Sequence, residues 1–385
     1  MHTIHKKMKL NIQNFKCWRD QDITIGGLTL LAGANSAGKS SVIQSLLLAR
    51  LALEQVQEKT RSQTIPHQNS PAWKGNIQIP LNNAFQLMLG NTQEVLNREA
   101  MEDRILLTLE DGPHIVFDVP KPSDAYDLAL TSIQGIHGEH PILQPDFYYL
   151  SAERIGPRLD YRLESQSRLH VGYDGAFTIQ VLRQIGMQDV DPSRAFDTGQ
   201  LMRYQRQIEL WMEYIVPGVE LSVPNLYEKV RTAQMNFGTS SPTNVGFGVS
   251  YVLPIVVNGM LAKKGALFIV ENPEAHLHPS GQSRIGQFLA HIAEAGVQVL
   301  VETHSEHVIN GIRIAVLEQH IRHEKVIVNF FSKPAAEIDS APFVKCIALN
   351  EHADLDHWPK GFFDQQQEDI ARIFRLRKQK KHDPV

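Results

Sequence analysis

Hydrophobic and polar positions divide the first sixty residues into three elements. MKLNIQNF and WRDQDITI each alternate apolar and polar residues around a turn near Lys16–Cys17, which predicts a β-hairpin. LTLLAG, residues 28–33, is continuously apolar, as expected of a buried central strand. From Lys39 to about Lys59 apolar residues recur with helical spacing. The order predicted is therefore hairpin, buried strand and amphipathic helix.

The middle of the chain changes character twice. The polar stretch TRSQTIPHQNSPAWKGN predicts a loop, and residues 76–150 then look mainly β, with RILLTLE and HIVFDV flanking the turn at Asp111-Gly112-Pro113. Residues 175–216 contain little Gly or Pro after Ser193 and are expected to be helical. The chain shows no long heptad segment, so we expect no coiled-coil arm.

The C-terminal part alternates regularly between the two periodicities. From Ala266 onwards the pattern is strand (LFIVE), helix, strand (VQVLVET), helix and strand (KVIVNFF). Such alternation predicts a parallel, doubly wound α/β sheet.

Composition narrows the class of protein. The 385 residues are 42% hydrophobic and 21% charged, which excludes collagen-like, disordered and disulfide-scaffold proteins. Two cysteines, Cys17 and Cys346, are too few for a disulfide framework and agree with a reducing cytosol. The longest apolar stretch, residues 251–262, is interrupted by Pro254 and Asn258 and is too short to span a bilayer. We therefore expect a cytoplasmic protein without a membrane segment.

Charge is distributed unevenly. The net charge is −4, but the last fifteen residues carry six Lys/Arg and one Asp, a local +5. A basic tail can bind DNA or RNA through counterion release, or it can be a solubilising helix end. Both interpretations stay open at the level of sequence.

A phosphate-binding loop is the strongest chemical signal. Residues 33–40 read Gly33-Ala34-Asn35-Ser36-Ala37-Gly38-Lys39-Ser40 and match G-x-x-x-x-G-K-[S/T], between a predicted strand and a predicted helix that continues with Ser41. The glycines let the backbone approach phosphate oxygens, and the helix N-terminus adds positive potential. Lys39 is expected to reach the β- and γ-phosphates, and the Ser40 hydroxyl to ligate Mg²⁺.

A second motif, LFIVENPEAHLHP, places an acid at the end of a buried strand. In open α/β sheets ligands bind at the carboxyl edge of the strands, so Glu271 is the expected Mg²⁺-side carboxylate. Asn272 and Glu274 follow it and are the groups available to orient a hydrolytic water.

Two further motifs complete the pattern. In VETHSEHVING another apolar strand ends at Glu302-Thr303-His304, where His304 can hydrogen-bond a γ-phosphate and Ser305 can cap the next helix. In NVGFGVS, Gly246, Gly248 and Ser250 lead into an apolar helix, so they form a second anion-binding helix start. Because one such end already serves the phosphate loop, the second is expected to contact nucleotide held by another subunit.

The order of these motifs resembles the ABC-type ATPases, and within them the RecF/SMC-like branch that contains the OLD family and related defence-associated ATPases. NFKCWRDQDITIGGLTLLAGANSAGKSS is similar to the opening of that branch, and YYLSAERIGPR resembles a segment common in it. The resemblance implies an α/β P-loop NTPase fold of ABC type, with a mixed sheet, an N-terminal hairpin and an inserted β-rich and helical middle region. It also implies ATP and Mg²⁺ as ligands.

Site roles follow from the resemblance position by position. It makes residues 35–41 the Walker A nucleotide-binding loop, residues 275–279 the D-loop, Glu271 the Walker B acid and His304 the switch histidine. Gly246, Gly248 and Ser250 become the signature, and Gln93 is the candidate metal-side Q-loop glutamine, with Gln86 as the alternative. The division of the chain that we expect is 1–60 and 241–335 as the two halves of the ATPase domain, 61–150 as a β-rich region, 151–240 as a mainly helical region, and 336–385 as a strand and basic tail.

Two departures from the family pattern bear on function. Relatives commonly have Glu-Glu-Pro-Glu where this chain has Glu271-Asn272-Pro273-Glu274, and an amide can orient water but cannot take its proton. Slow hydrolysis is therefore expected unless Glu274 substitutes. About 50 residues follow the last α/β strand, too few for the TOPRIM domain of OLD nucleases.

The favoured hypothesis is an ATP-dependent homodimer or higher oligomer, joined through faces that sandwich ATP, which switches a separate effector such as a nuclease or toxin in anti-phage defence. The alternative is a RecF-like DNA-binding ATPase in DNA repair. A zinc site made of His276, His278, His304 and His307 is a further alternative.

Overall fold

The computed structural model describes residues 7–62, 72–121, 124–136, 140–166, 168–333, 342–357, 359, 362 and 365–382. Its strands are β1 (Met8–Phe15), β2 (Trp18–Ile25), β3 (Leu28–Gly33), β4 (Ala72–Pro80), β5 (Arg104–Leu109), β6 (His114–Asp118), β7 (Asp127–Gln134), β8 (Phe147–Leu150), β9 (Tyr161–Arg162), β10 (Asn225–Tyr227), β11 (Thr232–Gln234), β12 (Leu267–Glu271), β13 (Gln298–Glu302), β14 (Val326–Ser332) and β15 (Phe343–Ala348). Its α-helices are α1 (Lys39–Ser62), α2 (Thr92–Val95), α3 (Thr178–Ile185), α4 (Tyr204–Ile215), α5 (Phe247–Leu261), α6 (Pro279–Glu294), α7 (Glu306–Leu317) and α8 (Gln365–His382).

A six-stranded mixed sheet forms the centre of the molecule. Its strand order is β15-β14-β3-β13-β12-β8, and all neighbours are parallel except the β14–β15 pair. Because β3, β12 and β13 run in the same direction, the phosphate loop and both acid-ending strands open onto one edge. The α/β fold expected from the C-terminal alternation is confirmed.

The two faces of this sheet belong to different cores, as the period-two alternation of strand side chains requires. Leu28 and Leu30 pack with α5, α6 and α7, whereas Leu31 packs with α1 and a second sheet. The continuous apolar run of β3 is explained by this burial on both sides.

The second sheet is antiparallel, with strand order β2-β1-β5-β6-β7-β4. The expected N-terminal hairpin is present as β1 and β2, and β1 also pairs with β5. The β-rich region that follows residue 60 therefore extends the hairpin sheet, while β8 joins the central sheet instead. Residues 72–76, which the sequence assigns to a loop, begin β4; residues 63–71 of that loop lie outside the described part of the chain.

The described part of residues 151–240 is less helical than the sequence pattern predicts. It contains α3 and α4, but also a three-stranded sheet of order β10-β11-β9. These strands are two or three residues long, too short to show an alternation in the sequence. The basic tail forms α8, whose described side chains are exposed.

Candidate functional site

The phosphate loop connects β3 to α1 and needs glycine at its closest approaches. Gly38 has φ +94°, and a Cβ there would lie 2.3 Å from the Trp18 ring. Ser36 also has positive φ, so the loop bends tightly before α1 begins at Lys39. The backbone N–H groups of such a loop, together with the helix N-terminus, form a cradle for anions.

Lys39 lies folded against its own loop. It is only 3% exposed, and its Nζ donates to the carbonyl oxygens of Gly33 (3.0 Å) and Ala34 (2.7 Å). Burial lowers the pKa of Lys39, and the nearby Glu302 carboxylate opposes that shift. An ammonium held by neutral carbonyls next to an anion cradle is placed to exchange them for phosphate oxygens.

A cavity of about 450 Å³ opens in front of this loop. Its lining contains the loop, the carboxyl ends of β12 and β13 and the β1–β2 turn, namely Lys16, Cys17, Asn35, Ser36, Gly38, Lys39, Ser40, Ser41, Gln44, Ala152, Glu271, Asn272, Glu302 and His304. The structure thus brings together most of the residues that the sequence assigns to Walker A, Walker B and the switch. Ala37 is buried in the core beneath the loop.

Two carboxylates face the loop from adjacent strands. Glu271 and Glu302 are register partners in the parallel β12–β13 pair. The Ser40 hydroxyl lies 3.0 and 3.1 Å from the two Glu302 carboxylate oxygens. Tyr149 Oη donates to Glu271 Oε1 (3.0 Å), and the Ala152 N–H donates to its Oε2 (3.2 Å).

The pKa values of both acids are raised. Burial and the Glu271 charge raise the pKa of Glu302 from 4.5 to about 7, although Lys39 and Ser40 oppose the shift. Burial also raises the pKa of Glu271, against its bonds from Tyr149 and Ala152. Two buried carboxylates beside a serine hydroxyl are an oxygen-only set that suits Mg²⁺.

Glu302 is the functional candidate that sequence reasoning missed. The sequence marks it only as the end of a strand, and the metal-side residues predicted were Ser40, Gln93 and Glu271. The signal was present, because Glu302 ends its apolar strand in the same way as Glu271 does. The sequence does not reveal that β13 pairs with β3, and it is this pairing that puts Glu302 next to Ser40.

Asn272 occupies a strained turn at the end of β12. Its φ is +45°, its N–H donates to the Glu302 carbonyl (2.8 Å), and its carbonyl accepts from Arg154 Nη2 (2.6 Å). The side-chain Oδ1 is buried without a hydrogen-bond partner among the described residues. This amide lines the cavity and has an acceptor available for a water.

Glu274 bonds to the switch loop rather than to the cavity. Its carboxylate accepts from Thr303 Oγ1 (2.9 Å) and from the His304 N–H (2.7 Å), and it is not among the cavity-lining residues. Burial raises its pKa. His304 lines the cavity, and burial together with the charge of Lys39 lowers its pKa.

The three residues assigned to the signature lie at the start of α5 and differ in their exposure to solvent. Gly246 is the exposed N-cap, while a Cβ on Gly248 would lie 2.8 Å from the His276 carbonyl oxygen. Ser250 is 8% exposed and lies beside Tyr161, so its hydroxyl points into the protein. The assignment of these residues to a subunit contact stays a prediction, and Gly246 is the member that faces solvent.

The structure does not bring Gln93 into the cavity. Gln93 is exposed on α2, whereas Gln44 lines the cavity and accepts from Lys16 Nζ (2.8 Å). The alternative, Gln86, accepts from Ser151 Oγ at 3.0 Å, next to Ala152.

The histidines of the zinc alternative have separate surroundings. The ring of His276 packs edge-on against Tyr251, and His278 caps α6 by accepting from the Ser280 N–H (3.4 Å). Within the described ranges, no group of three or more His, Cys, Asp or Glu side chains could hold a metal ion.

Arg154, from the YYLSAERIGPR segment, hydrogen-bonds to the backbone of the turn that follows β12. Its Nη1 donates to the carbonyls of Glu271 (2.7 Å) and Ser151 (3.0 Å), and its guanidinium lies 5.2 Å from the centre of the Tyr251 ring on α5. Burial lowers its pKa to about 10, so it stays charged at neutral pH. The segment YYLSAERIGPR therefore links the turn after β12 to helix α5.

The chain is similar to many solved structures, and three of them are named here. They are an SMC head bound to the C-winged helix domain of ScpA (12% identity, 89% of this chain and 98% of that chain covered, TM-score 0.46), an SMC head domain from Thermotoga maritima (10%, 90% and 99%, 0.40), and an Smc head with an extended coiled coil bound to the C-terminal domain of ScpA derived from Pyrococcus furiosus (11%, 96% and 99%, 0.44). None of the curated proteins compared with the chain matches it. In the described part of the chain, no helix is long and apolar enough to cross a membrane.

Comparison with protein families matches three segments. Residues 9–83 match an AAA domain, residues 220–309 an AAA ATPase domain, and residues 321–373 a family described as protein of unknown function, DUF3696. The first segment contains the phosphate loop, and the second contains Gly246, Glu271 and His304. Both segments are therefore similar to AAA-type ATPase domains.

Proposed function

We propose that this chain binds ATP with Mg²⁺, hydrolyses it slowly, and closes with a second copy around the nucleotide as a switch for a separate effector. The observation that carries the proposal is the cavity in which Lys39 and Ser40 face the paired carboxylates Glu271 and Glu302, with Asn272 in the place of a general base. The anti-phage setting rests on the family resemblance of the motifs.

Nucleotide binding would use the contacts that the loop makes with itself. Lys39 Nζ would leave the Gly33 and Ala34 carbonyls for the β- and γ-phosphates. Ser40, Glu302 and Glu271 would hold Mg²⁺, which supplies charge neutralisation for the phosphates. Both carboxylates ionise when the cation binds, since metal ligands bind in their deprotonated form.

Slow turnover follows from the groups beside the cavity. Asn272 can position a water through its unpartnered Oδ1 but cannot accept a proton. The Glu274 carboxylate is engaged by Thr303 and His304 on the switch loop. His304 also lines the cavity and lies outside the set of side chains proposed to hold Mg²⁺, so it is left as a proton acceptor, and we expect turnover at the low end of the usual enzyme range of roughly 1–10³ s⁻¹.

The nucleotide assignment is tested by isothermal titration of ATP with and without Mg²⁺. Lys39→Ala should abolish binding, and Glu302→Gln should remove most of the gain in affinity that Mg²⁺ gives. Glu306→Gln is the matched control, because Glu306 starts α7 close to Glu302 but does not line the cavity. Unchanged ATP affinity in Lys39→Ala would show that the loop does not bind nucleotide.

A RecF-like DNA-binding ATPase is the second candidate function, and helix α8 favours it. Arg372, Arg375, Arg377 and Lys378 are all exposed on this helix. Such a cluster would bind the phosphate backbone with an affinity that falls steeply with salt. If a duplex DNA probe binds with no salt dependence, or binds equally after the four residues are changed to Gln, this second function is excluded.

A further inference from the structure

A second cleft, of about 700 Å³, lies between the C-terminal half of α1, the start of β8 and residues 168–173. We call it the aromatic cleft, and its lining includes Arg50, Glu54, Phe85, Tyr149, Arg168 and Tyr173. Its volume is within the range of about 300–1,000 Å³ that is typical of small-molecule sites. None of the ATPase motifs accounts for it.

Stacked rings make one wall of the aromatic cleft. The Tyr173 ring lies 5.1 Å from that of Phe85 and 6.0 Å from that of Tyr149, and His170 stacks on it at 6.3 Å with an interplanar angle of 17°. A flat heteroaromatic ring can extend such a stack, because every nucleobase offers a π face. The wall therefore favours a planar ligand.

Charged groups next to this wall restrict the class of ligand further. Arg168 is exposed and donates to the Pro145 carbonyl (2.8 Å), while the buried Arg50 is fixed by Glu54 (2.8 Å). The Glu54 and Asp146 carboxylates line the cleft and can accept hydrogen bonds from an exocyclic amine. Arg168, in turn, can pair with a single phosphate.

The aromatic cleft shares a residue with the ATP site. The ring of Tyr149 lines the cleft, while its hydroxyl donates to Glu271 Oε1 at 3.0 Å. The Tyr173 carbonyl accepts from the Ser151 N–H (2.8 Å), one residue before Ala152, whose N–H holds the other Glu271 oxygen. A ligand that packs against Tyr149 and Tyr173 thus contacts one residue that hydrogen-bonds Glu271 directly and another that binds the neighbour of Ala152.

We propose that the aromatic cleft binds a nucleobase with an exocyclic amine, and that its occupancy repositions Glu271 through Tyr149 and so changes the rate of ATP hydrolysis. The base can come from a free nucleotide or from a single strand of nucleic acid. Binding at the cleft is independent of the proposed function, whereas the effect on hydrolysis rests on it.

Binding is tested by calorimetry on the full chain carrying Lys39→Ala, in which the phosphate loop lacks its cation. The probes are adenosine, cytidine, uridine, AMP and a short single-stranded oligo(dA). Adenosine and cytidine should bind, and uridine, which lacks the amine, should bind several-fold more weakly. Tyr173→Leu should lower the affinity for adenosine by about tenfold or more, since it removes the aromatic ring on which the base stacks.

Matched variants keep this test decisive. Tyr126→Leu changes a tyrosine that is 66% exposed and outside the cleft, so adenosine affinity should not change. Arg168→Ala, a substitution at the surface, should lower the affinity for AMP but not the affinity for adenosine. A higher affinity for AMP than for oligo(dA) identifies a free nucleotide as the source, and the reverse identifies a nucleic-acid strand. Absence of adenosine binding, or equal binding by Tyr173→Leu, overturns the proposal.

The coupling is tested by phosphate release from the chain with an intact phosphate loop. Adenosine should change the rate, and Tyr149→Phe, which keeps the ring but removes the bond to Glu271, should bind adenosine normally and lose the response. If adenosine binds but the rate is the same with and without it, the link through Tyr149 is wrong. If no ATP is hydrolysed at all, the proposed function fails, and the calorimetry still decides whether the cleft binds a base.

Discussion

At the scale of single residues, the chemistry depends on three side chains at the ends of two neighbouring strands. Glu302 faces Ser40, Glu271 is held by Tyr149, and Asn272 presents a buried oxygen without a partner among the described residues. The first two can bind a cation, and the third can orient a water without activating it. These roles lead to two predictions.

Asn272→Glu is expected to speed ATP hydrolysis by about tenfold or more, because it adds a group that can accept a proton where the amide only positions water. Glu271→Gln should abolish turnover by weakening the Mg²⁺ site. Steady-state phosphate release measures both. Fast hydrolysis by the unchanged chain that loses nothing in Glu274→Gln would leave His304, or a residue of the partner copy, to orient the water.

Glu302 should give the unfolding free energy a characteristic pH dependence when Mg²⁺ and nucleotide are absent. Its pKa is about 7 in the folded chain against 4.5 ordinarily, so the folded state binds more protons between these values. The free energy of unfolding should therefore fall as pH rises from about 4.5 to about 7. Denaturant unfolding across this range measures it, and Glu302→Gln should reduce the fall. An identical pH profile in that variant would contradict the assignment.

The positions of single site residues can be predicted from the sequence where a motif determines the local backbone conformation. The loop from Gly33 to Ser40 specifies its own turn, and the structure places it after β3 and before α1. Gln93 and Glu302 could not be placed, because their distances from Ser40 depend on which strands pair. An isolated Gln or Glu carries no information about that pairing.

At the scale of elements, the start of α5 packs directly on the turn after β12. Gly248 lies so close to the His276 carbonyl that any side chain would displace it. Gly246, two residues earlier, has nothing within 4 Å of the position of a Cβ. The two glycines therefore offer a matched pair for testing whether the signature region supports the D-loop.

Gly248→Ala should lower the free energy of unfolding by about 1–3 kcal/mol, as overpacking does elsewhere. Gly246→Ala should change it by less than about 0.5 kcal/mol, as for ordinary surface substitutions. Denaturant unfolding of the two variants compares them directly. Equal stability of both variants would mean that the helix start and the D-loop are not in contact in solution.

Elements with a long, clear period were predicted, and elements defined by tertiary pairing were not. The segments LFIVE and VQVLVET are mainly apolar because both faces of the sheet are covered there, and they contain β12 and β13. The pairing of β1 with β5 joins residues about 100 positions apart, and nothing in the sequence of either strand specifies that partner. The two- and three-residue strands β9, β10 and β11 are likewise set by packing alone.

At the scale of the whole molecule, the proposed switch requires two copies of the chain to close around ATP. Of the residues assigned to the signature, Gly246 at the exposed N-cap of α5 is the one that a second copy can reach. Gly246→Arg should therefore block closure while leaving ATP binding by each chain intact, because a Cβ there meets no atom within 4 Å and Gly246 does not line the cavity.

The most direct test of this central claim is small-angle scattering with matched cross-linking, on the unchanged chain and on Gly246→Arg, each with and without ATP and Mg²⁺. We expect ATP to bring two copies of the unchanged chain together, and we expect Gly246→Arg to bind ATP in titration without showing this response. A scattering curve that ATP does not change, or an equal ATP response in Gly246→Arg, would contradict it.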